Sequence, residues 1–131
     1  MPNYKSRIQL LWLLKRVFVN GYGSIGSRII QFIKDDPEIE ILGVGKHSPD
    51  AKVQEAISSG FNVYVPKSKE SDFKKFSISG NIETILDECD LVIDAAPGGV
   101  GFKNKIDLYE PKNLMAIYQG GESITGENAV S

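Results

Sequence analysis

Gly21, Gly23 and Gly26 stand in a G-x-G-x-x-G array directly after the apolar run Val17-Phe18-Val19-Asn20. That spacing suits one task, which is holding a diphosphate on main-chain amides. The first glycine allows a tight turn after Asn20, the second lets a pyrophosphate approach the backbone, and the third lets a helix lie close on the strand. Amides that open a helix have no partners within it, and the helix dipole favours negative charge at that end. The alternative is a merely tight structural turn. A strand before the glycines and an amphipathic pattern after them favour the ligand, and predict a dinucleotide.

The ribose supplies a second test. Folds that take NAD place Asp or Glu at the end of the second strand, ~20 residues after the glycines, where it meets the adenosine 2′-hydroxyl. Lys46 occupies that place here, with Glu40 inside the strand and Asp50 past it. A lysine attracts a 2′-phosphate, so NADP is expected to bind, with preference, alongside NAD; the competing reading is a solvated surface lysine. His47 suits a position beside a phosphate, or at the surface, better than a general base, since no nucleophile is assigned beside it. Further loops rich in glycine follow later strands, Pro97-Gly98-Gly99-Val100-Gly101 and Gln119-Gly120-Gly121. Turn chemistry explains any one of them; their coincidence on one sheet edge favours a ligand.

The remaining reactive groups make poor catalysts. Cys89 sits among Asp87, Glu88 and Asp90, whose charges raise a thiol pKa, and it reads as structural. One cysteine and one histidine form neither an internal disulfide nor a Cys/His zinc site, and point to a reducing cytoplasm. Asp35-Asp36 before Pro37 reads as a solvated helix stop, and Lys67-Ser68-Lys69 with Lys74-Lys75 as a wet face. Fifteen basic and seventeen acidic residues give a net charge of -2, which attracts neither nucleic acid nor an anionic membrane. No catalytic residue and no metal ligand set is assigned. The sequence can hold a cofactor but shows no means of using it.

These residues need a scaffold, and 131 residues suit one domain. From Arg16 onward, strand and helix patterns alternate, which predicts an α/β fold of Rossmann type: a doubly wound, mainly parallel sheet over residues 15–131. Expected strands are Val17–Asn20, Ile39–Gly45, Asn62–Val65, Leu91–Ala95 and Leu114–Tyr118. Between them, Ile25, Ile29 and Ile33 form a helix stripe, Asp50 caps a helix over Ala51–Ser59, and Gly60 ends it. A polar helical turn is expected over Lys69–Phe76, with helices over Ile82–Glu88 and Asn104–Tyr109. Glu122–Ser131 carries no strong pattern and ends without a closing element. Residues 1–14 form an N-terminal extension. Its apolar run Ile8–Leu14 is far shorter than the ~20 residues that span a bilayer, and no small-residue cleavage site follows Lys5 and Arg7.

Val19 to Gly26, Gly43 to Asp50, Asp94 to Gly101 and Tyr118 to Glu122, in this order, resemble the N-terminal part of archaeal-type phosphorylating glyceraldehyde-3-phosphate dehydrogenase. The likeness runs from about Lys15 to Glu122. It implies an NAD- or NADP-binding first domain, with Ser24 and Ile25 meeting the pyrophosphate and ribose, Lys46 the 2′-phosphate, and Gly120 or Gly121 the nicotinamide side. Pro97 and Gly99 fall in the family's loop after the expected strand Leu91–Ala95. It also implies a second domain that supplies a cysteine nucleophile, thioester chemistry on glyceraldehyde 3-phosphate, and a homotetramer for the full enzyme. This sequence departs from the family at His47, where threonine is usual, and in ending before the Ser-Cys-Asn-Thr-Thr motif, so a truncated product is expected. Other readings left open are a stand-alone redox-sensing module and the cofactor domain of another NADP-dependent semialdehyde dehydrogenase or reductase.

Overall fold

Alternation along Lys15–Asn20 sends Val17 and Val19 to one side and Phe18 to the other, and all three are buried. A strand apolar on both sides belongs inside a sheet covered on both faces, where burying each such side chain contributes about 1.5–3 kcal/mol. That strand, β1, is central in the computed structural model, which describes residues 14–96, 99–119 and 129–130. Residues 1–13 of the expected extension lie outside the described residues.

Six further strands follow among the described residues: β2 (Ile39–Gly45), β3 (Val63–Val65), β4 (Gly80–Asn81), β5 (Leu91–Asp94), β6 (Met115–Tyr118) and β7 (Ala129–Val130). Every pairing is parallel, in the order β4-β3-β2-β1-β5-β6-β7. Helix α1 (Ser24–Ile33) joins β1 to β2 and α2 (Ala51–Ser58) joins β2 to β3. Ile30, Val53 and Ala56 from these helices share a core cluster with Val17, Val19 and Val44. On the other face, α3 (Ile82–Ile85), the 3₁₀ turn Leu86–Glu88 and the helical stretch α4 (Val100–Asn104), which continues as a π-helical turn over Lys105–Tyr109, cover the sheet. Ile82, Ile85, Leu86 and Tyr109 pack there with Phe18 and Val92. The fold is an α/β sheet wound in opposite directions from β1 and β5. Loops leaving those two neighbouring strands turn to opposite faces and open a crevice between them.

The expected strands and the first two helices are present within a residue or two, and Asp50 accepts the Lys52 amide at the start of α2 at 3.0 Å. Five points differ from expectation. The two-residue strand β4 is too short for any alternation to announce it. The stripe on α1 is rotated: Gly26 and Ile30 are buried, Ile29 and Ile33 partly so, while Ile25 is 47% exposed because the glycine turn carries the helix start past the sheet edge. The helix before β6 starts at Val100, four residues early, and the polar turn after β3 is a 3₁₀ segment over Lys67–Phe73 that buries Phe73. The C-terminal stretch, expected to close nothing, provides Ala129–Val130 as an edge strand on β6.

Candidate functional site

The turn after β1 folds back under β5. Gly21 has φ +119°, and its amide and that of Tyr22 both donate to the Gly45 carbonyl, at 3.2 and 3.0 Å. A Cβ on Gly26 would collide with the Gly21 carbonyl, so the third glycine sets how closely α1 lies on the turn. Gly23 differs, because a Cβ there would meet nothing within 4 Å. Packing does not require that glycine. Gly23 caps α1 without any side-chain hydrogen bond, and no acidic side chain occupies the first turn, so the amides opening the helix face unneutralised space.

That space is a cleft of about 410 Å³ bounded by the loops after β1, β2 and β5. Gly21, Gly23, Ser24 and Ile25 form one wall, Lys46 and His47 another, and Ala95 with Ala96 the floor. Of the four loops expected at one sheet edge, those after β1, β2 and β5 meet there, and the one after β6 lies beyond Gln119, outside the described residues. Gly99, at φ +86°, leads into α4. Pro97, Gly120 and Gly121 lie outside the described residues. Asn20 and Gly26 stand behind the wall, without lining the cleft.

Lys46 is only 6% exposed, which removes the solvated-surface reading. Its ammonium pairs with Asp50 at 2.8 Å and reaches the Tyr22 carbonyl at 3.4 Å. Asp50, set aside in the sequence as lying past the strand, is therefore part of the cleft wall. Partial burial raises the Asp50 pKa, but the hydrogen bond and charge of Lys46 together with the Lys52 amide outweigh it, and the carboxyl is held below its usual range.

A buried polar chain runs behind the cleft. Tyr109 donates its hydroxyl proton to Asp94, whose carboxylate also accepts from the Asn104 amide at 2.9 Å and the Ala96 main-chain amide at 3.0 Å. Asn20 donates to the Tyr109 oxygen at 2.8 Å, and its own carbonyl faces His47 Nε2 at 2.8 Å. Burial, then the Asp94 charge, raises the Tyr109 pKa well above its usual value and keeps the phenol protonated. Asp94 and Tyr109 fix the end of β5 and the floor of the cleft, and sequence reading assigned neither. The available signal was an acid closing the apolar run Leu91-Val92-Ile93 immediately before a glycine-rich loop. Cys89, by contrast, lies just before β5, at the strand end opposite the cleft, and burial more than the neighbouring Asp90 lifts its thiol to about 11.

Among the described residues no cluster of His, Cys, Asp and Glu could hold a metal ion, and no helix is long and apolar enough to cross a membrane. The fold, its crevice at the switch between β1 and β5, and the bare helix start define a Rossmann-type nucleotide-binding domain.

Its relatives narrow that class. The chain matches the N-terminal domain of archaeal glyceraldehyde-3-phosphate dehydrogenases, which are oxidoreductases. The enzyme of Hyperthermus butylicus is 44% identical over 109 residues, that of Methanosarcina acetivorans 39% over 110, and that of Methanothermus fervidus 37% over 112. These alignments cover 82–83% of this chain and 32–33% of each relative, so the chain spans about a third of the length of the curated relatives it matches. No family model matches. Among solved structures, an aspartate semialdehyde dehydrogenase with NADP from Candida albicans shares the fold, with a TM-score of 0.55 at 19% identity over 82% of this chain and 30% of that one.

Proposed function

We propose that this chain is the cofactor-binding part of a phosphorylating glyceraldehyde-3-phosphate dehydrogenase, taking NADP and NAD in the cleft after β1. The observation that carries this reading is Gly23: the fold does not need a glycine there, whereas a diphosphate lying on the amides of Ser24 and Ile25 would. The cleft fits the cofactor in two further respects. The Ala95–Ala96 floor presents no bulky side chain, and Lys46 is fixed at the end of β2, where the adenosine ribose of such nucleotides lies.

Each group has a separate task. Gly21 turns the chain so that the helix start opens onto the cleft, Ser24 and Ile25 give main-chain N–H groups to the pyrophosphate, and Lys46 supports a 2′-phosphate. Gly99, with Pro97, Gly120 and Gly121 of the loops beyond β5 and β6, completes the nicotinamide side in this reading. Bound there, the nicotinamide supplies a hydride acceptor. The remaining chemistry, oxidation of glyceraldehyde 3-phosphate with phosphate to 1,3-bisphosphoglycerate through a cysteine thioester in a homotetramer, belongs to a second domain that pairs with this one. Gly23→Val places a branched side chain where the pyrophosphate would rest. It is expected to abolish the NADP signal in a calorimetric titration with no change in far-ultraviolet circular dichroism; unaltered binding would exclude the loop.

A further inference from the structure

His47 stands on the wall shared by the cleft and a second hollow of about 350 Å³, whose sides include Lys69, Glu83, Lys103 and Asp107. Its tautomer follows from the buried chain. Asp94 is acceptor-only, so Tyr109 donates to it and must accept from the Asn20 amide nitrogen; Asn20 therefore turns its oxygen to His47, and Nε2 carries the proton. Nδ1 makes no hydrogen bond with any described residue. Next to it, Lys46 is paired with Asp50 at 2.8 Å.

We propose that His47 is the specificity-determining residue of the cleft: neutral, its Nδ1 accepts the 2′-hydroxyl of an unphosphorylated dinucleotide; protonated, it adds the positive charge that favours a 2′-phosphate. The inference rests on the cofactor reading given above and deepens it. Every charged group facing the ring bears on the direction. Burial first, then Lys69 from the 3₁₀ segment and Lys46 from the end of β2, disfavour the imidazolium, while Asp94 from β5 and Glu83 from α3 favour it. The balance holds the His47 pKa below its usual 6.5, so the ring is neutral at neutral pH and a dianion beside it would pull the pKa upward. Lys103 and Asp107, of opposite sign, line the far side of the second hollow.

The test exploits the single histidine in the sequence, whose imidazole signals in a nuclear magnetic resonance titration need no assignment. In the 131-residue chain the imidazole pKa should rise by about one unit with saturating NADP and stay in place with NAD. Calorimetry in two buffers of different ionisation enthalpy should show proton uptake near pH 6.5 with NADP alone. A 2′-phosphate also titrates near pH ~6, so His47→Gln, which keeps a donor for Asn20 but never ionises, supplies the reference. The NADP-to-NAD affinity ratio of the native chain, divided by that of the variant, should grow about fivefold from pH 8 to pH 5.5. Parallel pH profiles, or an imidazole pKa indifferent to NADP while both nucleotides bind, would overturn the selector and leave the cofactor site standing. Failure of both nucleotides to bind at any pH would overturn the cofactor reading and the selector together.

Discussion

Tyr109 shows how much of the cleft depends on side chains that never reach it. Its hydroxyl is 1% exposed with its ring, gives its proton to Asp94 and takes one from Asn20. Tyr109→Phe would leave the Asn20 amide without its acceptor and the carboxylate short of one donor, both buried, at a cost of about 1–3 kcal/mol. The midpoint of a denaturant titration should fall accordingly, with an unchanged dependence on denaturant; an unmoved midpoint would show that the chain of bonds adds nothing. No sequence pattern announces this arrangement, since Asn20 and Tyr109 are 89 positions apart. The glycines and Lys46 were legible for the opposite reason. Their roles depend on spacing from a neighbouring strand, which is local. The sequence left Lys46 open between a phosphate ligand and a surface residue, and burial beside Asp50 removes only the second.

Helix α1 and strand β1 act as one element, because the turn between them has no slack. A Cβ added at Gly26 would collide with the Gly21 carbonyl and lie 3.6 Å from the Ala95 side chain, so adding one methyl must push the helix off the sheet. Gly26→Ala is expected to destabilise the chain by about 1–3 kcal/mol through overpacking. It should weaken nucleotide binding as well, because the helix start would move. Gly23→Val offers the contrast, with binding lost and stability kept, and a Gly26→Ala chain as stable as the native one would refute the close-contact account. Ile30 explains why the helix was predictable while its face was not. A four-residue spacing of Ile25, Ile29 and Ile33 marks a stripe, but the helix rests on Gly26 and Ile30, and a glycine gives no hydrophobic signal of contact. Strand β4 stayed hidden because two residues, Gly80 and Asn81, cannot show an alternation.

Across the whole molecule, the alternation of strand and helix was enough to place the loops after β1, β2 and β5 on one edge, since parallel strands all end there. The same geometry separates the cysteine from the cleft. Cys89 precedes β5, whose far end, at Asp94, reaches the site, and Cys89 is packed with Ile85, Leu86 and Val92. Its thiol, lifted to about 11 by burial and then by Asp90, leaves about one thiolate in ten thousand at neutral pH. A thioester route needs a thiolate beside the nicotinamide, and this cysteine fails on charge and on place. The 131-residue chain is therefore expected to bind NADP yet show no phosphate-dependent rise in absorbance at the reduced-nicotinamide band when given glyceraldehyde 3-phosphate. Cys89→Ala should change neither property. Turnover by the native chain that disappears in Cys89→Ala would mean that the buried thiol reaches the cleft, and with it that the sheet edge and the chemistry are not where the fold puts them.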